Sequence, residues 1–189
     1  MHAAPEPLEE YQDLMYEHLT SDYTIRQHPN PVLYEIAEPI AEDEFGDELF
    51  ALGAQMVAIV KQHDALGIAA NQIGLLKRIF AMESTLGPVV ICNPELTLSK
   101  ETDYRDEGCL SMPGVQEQVI RSTSLLMKFR TPMGAPASIQ LEGLDARIVQ
   151  HEVDHLDGIN FVDRLPRNLK KRAMKSWEEK LAKIKKSAA

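Results

Sequence analysis

The chain has 189 residues, 44% of them apolar, which is enough for one domain with its own core. No apolar run is long enough to span a bilayer, the acidic N-terminus resembles neither a secretory signal nor a transit peptide, and two cysteines cannot build a disulfide framework. The net charge of −9 is uneven: from Arg167 onward there are nine basic and two acidic residues, and the rest of the chain is strongly acidic. A cytoplasmic protein without a membrane or DNA partner is expected.

Residues 1–22 form an acidic extension in which Leu8, Tyr11, Met15 and Leu19 recur at helical spacing. A short amphipathic helix and a disordered arm both fit that pattern. His28-Pro29-Asn30-Pro31 reads as a turn. The stripe Leu49, Leu52, Met56, Ile59 and Val60 predicts a helix over about residues 47–63. The run Gly67-Ile68-Ala69-Ala70-Asn71-Gln72-Ile73-Gly74 then permits close backbone approach to a neighbour or ligand. It has neither the dinucleotide-binding form nor the Lys-Ser/Thr ending of a phosphate loop.

Strands are expected over residues 78–82, 89–92 and 95–100, with Cys92 as a small buried hydrophobe. Residues 124–131 and 137–142 read as a hairpin turning at Pro132-Met133-Gly134. A helix over about 144–156 follows, with Gly158 placed to stop it. The tail from 167 to about 185 has one apolar stripe, Leu169, Ala173, Trp177, Leu181 and Ile184, expected to pack on the body. Its basic residues form either a solvated face or a dock for a polyanion such as ribosomal RNA. The pattern is α+β in one domain, divided as an acidic extension (1–22), a catalytic body (23–166) and a basic C-terminal helix (167–189).

The chemistry concentrates in Gln150-His151-Glu152-Val153-Asp154-His155. On a helix, His151 and His155 project from one face and can grip one divalent ion. Glu152 sits at the edge of that face, where it can take a proton from water at the ion. The flanks Leu144, Ile148, Val149 and Leu156 are apolar, so the helix is buried and its polar groups need a reason to be there. Two histidines leave a third ligand to be found. The metzincin pattern fails because Phe161 stands where its last histidine belongs. Glu178 and Glu179, the candidates for a thermolysin-like site, read as solvated. Cys109, in Glu107-Gly108-Cys109-Leu110-Ser111, is the better candidate, although an inert cysteine is the default reading of that residue alone.

Three stretches in order, Gly67-Ile68-Ala69-Ala70-Asn71-Gln72, Glu107-Gly108-Cys109-Leu110-Ser111 and Gln150-His151-Glu152-Val153-Asp154-His155-Leu156, closely resemble the three motifs of the peptide deformylases. The resemblance spans roughly Thr24 to Arg164. It implies antiparallel sheets around a central HExxH helix, with a C-terminal helix. It implies an enzyme that removes the N-formyl group from formyl-methionine at the start of nascent polypeptides and releases formate. Cys109, His151 and His155 would hold one divalent ion, usually Fe2+, with Zn2+, Ni2+ or Co2+ as substitutes. Glu152 would be the general acid/base, and the Gln72 amide and Leu110 N–H would form the oxyanion hole. Leu66, Gly67, Glu107, Gly108, Leu144 and Ile148 would bind substrate, Asp154 and Arg121 are read as a supporting pair, and the basic tail is a possible ribosome contact.

Two positions depart from the family pattern. Ala65 stands where glycine is usual, which would be costly if the backbone there has positive φ. Gln116 stands near where an arginine is common. Two other functions compete: a small zinc protease, which would cleave peptides internally with no formyl requirement, and a catalytically silent ribosome-binding module. The full Cys/His/His/Glu set argues against silence.

Overall fold

The computed structural model describes residues 21–187. The segment from Leu8 to Leu19 and the side chain of Ile184 lie outside the described residues. Among the described residues there are three α-helices, α1 (Asp47–Gln62), α2 (Gly143–Leu156) and α3 (Arg167–Ser187), and seven strands, β1 (Gly67–Ala69), β2 (Ile79–Ser84), β3 (Gly87–Leu98), β4 (Thr102–Gly108), β5 (Gln116–Ser122), β6 (Ser124–Arg130) and β7 (Pro136–Glu142). β1-β2-β3-β6-β7, in that order, make an antiparallel sheet, and β4 and β5 pair separately as a two-stranded hairpin.

The larger sheet is covered on both faces near β2, and the period of two sorts its side chains. Ile79 and Ala81 join Met56, Ile59 and Val60 of α1 in one apolar cluster. Phe80 and Met82, on the opposite face, join Ile148, Val149, Val153 and Leu156 of α2 in a second. A third cluster sets Ala173 and Trp177 of α3 against Met112, Val115, Val119, Phe161 and Val162. The tail therefore packs on the body, along the segment that follows Cys109. No helix among the described residues is long and apolar enough to cross a membrane.

Three expectations are corrected. The strands expected at 89–92 and 95–100 are one strand, β3, whose pairing with β6 shifts between Cys92 and Glu95. Asn93 takes φ +49° there, and its side chain bonds both the N–H and C=O of Ile40, at 2.9 Å each. The irregularity admits Pro94 without ending the strand. The hairpin β4–β5 was not expected, because its inward positions are mostly polar: Glu107, Val119 and Arg121 are buried while Tyr104 and Ile120 face outward. Ala65 lies outside the positive-φ region, which its neighbour Asp64 enters at +49°, so the alanine carries no backbone strain.

Candidate metal centre and active site

Helix α2 begins at Gly143, with φ +59°, and ends before Gly158, with φ +70°. Gly158 admits no side chain, since a Cβ there would lie 2.6 Å from Tyr34 O. Between these limits the helix buries every residue from Ala146 to Leu156 except His151. That places His155 wholly inside and His151 at the wall of a cleft.

Cys109 follows the last residue of β4 and meets the helix. The Cys109, His151 and His155 ligand atoms all lie within 4.8 Å of one another. Cys109 Sγ is 3.2 Å from His155 Nε2 and accepts from Gln72 Nε2 at 3.3 Å and from the Ser111 N–H at 3.4 Å. Gln72 is held in that orientation: its Oε1 accepts from the Ala69 N–H at 2.8 Å, and its Nε2 also donates to Ser111 Oγ at 3.1 Å. Asn71 donates to the His155 carbonyl, tying the same short segment to α2.

His151 is oriented by Glu107. The Nδ1 and Glu107 Oε2 are 3.0 Å apart, which leaves Nε2 of His151 for a ligand. Phe161 stacks on His151 with ring centroids 6.1 Å apart. Glu107 lines the cleft, but its carboxylate is taken by Arg121, through Nε and Nη2 at 2.9 Å each, and by Arg147 at 2.7 Å. The expected pair of Arg121 with Asp154 is present, and Arg164 joins it. Sequence reasoning missed Arg147 and Ser111. A lone arginine in the apolar run Ala146-Arg147-Ile148-Val149 was the available signal, one helical turn before His151.

The electrostatics favour a cation. Burial would raise the Cys109 thiol, but His155 and His151 hold it well below its usual range. Burial would likewise lower His151, yet its contacts with Cys109 and Glu107 push it up to about 10. These shifts favour negative charge on Cys109 and positive charge beside it, and a divalent cation can take the place of the proton on the imidazole. One sulfur and two imidazoles within 4.8 Å of one another fit such an ion.

Glu152 is buried beside the cluster, and its Oε2 has no hydrogen-bond partner among the described residues. Burial pushes its carboxyl up to about 7, against the lowering effect of His151 and His155. A group so placed can both accept and return a proton near neutrality. Gly67 makes room for it: a Cβ at that position would lie 2.6 Å from Glu152 Oε1. The cleft over this group holds about 480 Å³. Its lining includes every expected substrate-binding residue, with Leu66 and Leu144 half-exposed at the rim and Ile148 buried beneath. Gln116 also lines it. Cys92 is buried elsewhere, beneath α1, as expected, and burial pushes its thiol up to about 12. Glu178 and Glu179 lie exposed on α3, away from the cluster.

The family model described as "Polypeptide deformylase" matches residues 22–171. The peptide deformylase of Thermotoga sp. (strain RQ2) is 38% identical over 144 residues, spanning 76% of this chain and 87% of the relative. That of Acidothermus cellulolyticus is 38% identical over 157 residues, spanning 82% of this chain and 85% of the relative. Among solved structures, the peptide deformylase of Thermus thermophilus superposes with a TM-score of 0.79 at 32% identity, covering 88% of this chain and 99% of that one. A class I type b peptide deformylase from Acinetobacter baumannii superposes with a TM-score of 0.74 at 37% identity, covering 76% and 99%.

Proposed function

The chain belongs to the polypeptide deformylase family, and on that premise we propose how its residues divide the work. The protein is a metal-dependent hydrolase that removes the N-formyl group from the formyl-methionine of nascent polypeptides and releases formate. The observation that carries the assignment of residues is the convergence of Gln72, Cys109, His151 and Glu152, from three distant segments, on one cleft, with His155 buried behind them against Cys109.

In this reading Cys109, His151 and His155 hold one divalent ion. Bound there, such an ion would supply Lewis acidity, lowering the pKa of a water molecule and polarising the formyl group. Glu152 accepts the proton of the attacking water at its buried Oε2, and later gives it to the departing amine. The Gln72 Nε2 and the Leu110 N–H donate to the formyl oxygen as charge develops on it. Ser111 and the Ala69 N–H fix the Gln72 amide beside the cleft, and the N–H that meets Cys109 Sγ at 3.3 Å is the one available to turn to the formyl oxygen. Ile148, Leu66 and Leu144 form the apolar wall for the methionine side chain, and Gly67 and Gly108 let the peptide backbone approach. Glu107 serves this site by orienting His151 as well as by shaping the wall. Gln116 offers an uncharged contact where an arginine is common in the family.

Iron(II) is the working metal in this proposal, with nickel and cobalt as active substitutes and zinc as a slower one. The enzyme works in the cytoplasm, and the basic face of α3 docks on ribosomal RNA near the emerging chain. The division 1–22, 23–166 and 167–189 gives that helix a binding role on top of its packing. The direct test is formate release from formyl-Met-Ala-Ser with and without a chelator. Release that stops with the chelator and returns with metal supports the reading. Internal cleavage of an unformylated peptide would replace it with a protease, and no turnover with a bound metal would leave a silent module.

A further inference from the structure

Arg147 has no part in the reaction just described, yet it is among the most heavily bonded side chains near the site. Its Nη1 donates to Glu107 Oε1 at 2.7 Å and to Val119 O at 2.9 Å. Its Nη2 donates to Asp103 Oδ1 at 2.5 Å and to Asp103 O at 3.2 Å. Asp103 and Glu107 lie on β4 and Val119 on β5, so one guanidinium from α2 grips both strands of the hairpin. The side chain is only 5% exposed.

The metal site is split between these same two elements. Cys109 hangs from the end of β4, while His151 and His155 project from α2. Their spacing is set by how the hairpin sits on the helix. Arg121 and Gln150 also join the two, but Arg121 reaches Asp154 and Gln150 reaches Ser122, at the far end of β5. Besides His151 itself, Arg147 is the α2 side chain that bonds Glu107, two residues before Cys109, while Arg121 bonds Glu107 from β5. Arg147 is also one helical turn before His151, the imidazole that Glu107 orients. The four charge-assisted or carbonyl bonds of a planar guanidinium fix direction as well as distance, which a lysine cannot do.

We infer that Arg147 is a positioning residue for the metal site: it registers the Cys109 half of the site against the histidine half and holds Glu107 for His151. The inference rests on the assignment of Cys109, His151 and His155 as ligands. Replacing Arg147 should not unfold the protein. Glu107 keeps both bonds to Arg121, and Asp103, 31% exposed in its side chain, keeps Arg105 at 2.7 Å. No charge would be left buried without a partner.

The test is titration of the metal-free full chain with Co2+, following the thiolate-to-cobalt absorption band, alongside thermal unfolding of the metal-free protein. Arg147→Met and Arg147→Lys are compared with Leu125→Ala, a core substitution on β6 that removes none of the hydrogen bonds of Arg147, Glu107 or the three ligands. Supporting ligands of this kind typically change metal affinity by roughly 10- to 100-fold. Arg147→Met should therefore bind Co2+ at least about 10-fold more weakly, with an altered band. Arg147→Lys should fall between it and the wild type, and Leu125→Ala should bind as the wild type does. Wild-type affinity and an unchanged band in Arg147→Met, with only a lower unfolding temperature, would overturn the inference. If Arg147→Met cannot be obtained folded, Arg147→Lys decides it on the same two readings. Failure of the ligand assignment shows itself differently: wild-type protein would then bind Co2+ without a thiolate band.

Discussion

At the scale of single residues the proposed reaction turns on Glu152, and two substitutions probe that role from different sides. Glu152→Gln keeps the size of the side chain and removes its capacity to take a proton. Bound metal should stay near one equivalent while kcat falls by at least about 100-fold, which parallel metal analysis and formate assays would check. A variant retaining more than a tenth of the rate would take the general-base role away from Glu152. Gly67→Ala acts on the same carboxylate without touching it in the sequence, because the added Cβ would lie 2.6 Å from Glu152 Oε1. The backbone at Gly67 has no positive φ, so alanine adds little strain of its own. The carboxylate must shift, and displacement by about an ångström can cost roughly 100-fold in rate. The expected outcome is a large fall in kcat for Gly67→Ala and almost no further fall when it is combined with Glu152→Gln. Additive losses would show that Gly67 serves the peptide backbone instead. That His151, His155 and Glu152 share one side of a buried helix was legible from their spacing. The reason for Gly67 was not, since the close approach joins residues 85 positions apart in the sequence.

At the scale of elements, helices were read more faithfully than strands. α1 and α2 were legible because each carries an apolar stripe of period 3.6 and a clear stop. The hairpin β4–β5 was invisible because Glu107 and Arg121 face inward, against the alternation that marks a strand. Those inward charges are there for the site: they hold one another and His151. The tail helix was legible in its packing stripe, and its basic face can now be tested without disturbing that packing. Deleting the helix would strip Trp177, 1% exposed, from Met112 and Val115, so truncation confuses binding with stability. Lys171 and Lys175 are exposed on its outer side. Lys171→Glu with Lys175→Glu should weaken ribosome binding and reduce its salt dependence by about one unit of slope per lost phosphate contact. Unfolding stability should move by no more than about 0.5 kcal/mol per site, and turnover of a short formyl peptide should be unchanged. Equal ribosome affinity across a salt series would dispose of the RNA-docking proposal.

At the scale of the whole molecule, the proposed ion joins parts of the chain that the fold alone brings together only as neighbours. Cys109 comes from the hairpin and the histidines from the central helix, so an ion bound to all three stabilises the native state and not the unfolded chain. Removing it should lower the unfolding temperature, and saturating metal at about 100 times its dissociation constant should restore roughly 2.7 kcal/mol. Which ion does this in the cell is a separate matter. By the general order for divalent metals, zinc should bind one thiolate and two imidazoles more tightly than ferrous iron does. Availability can reverse that order in the cell, and activity has its own requirement. If the formyl oxygen joins the ion as water attacks, a metal that takes up an added ligand readily would be favoured, and in this proposal that metal is iron(II). Protein prepared without oxygen should therefore contain mostly iron and be fastest in that form. Air should inactivate it, because iron(II) and the Cys109 thiolate are both open to oxidation. Nickel- and cobalt-loaded protein should keep its activity in air. Metal analysis of anaerobic and air-exposed samples, with parallel assays of zinc-, nickel- and cobalt-loaded protein, separates the possibilities. A zinc form as fast as the iron form, with no loss in air, would reject iron as the working metal and leave the deformylase reaction untouched. Loss of activity in air while iron stays bound would leave two sites of damage, which mass analysis separates: oxygen gained on Cys109 places it on the thiolate, and an unmodified Cys109 places it on oxidation of the iron itself.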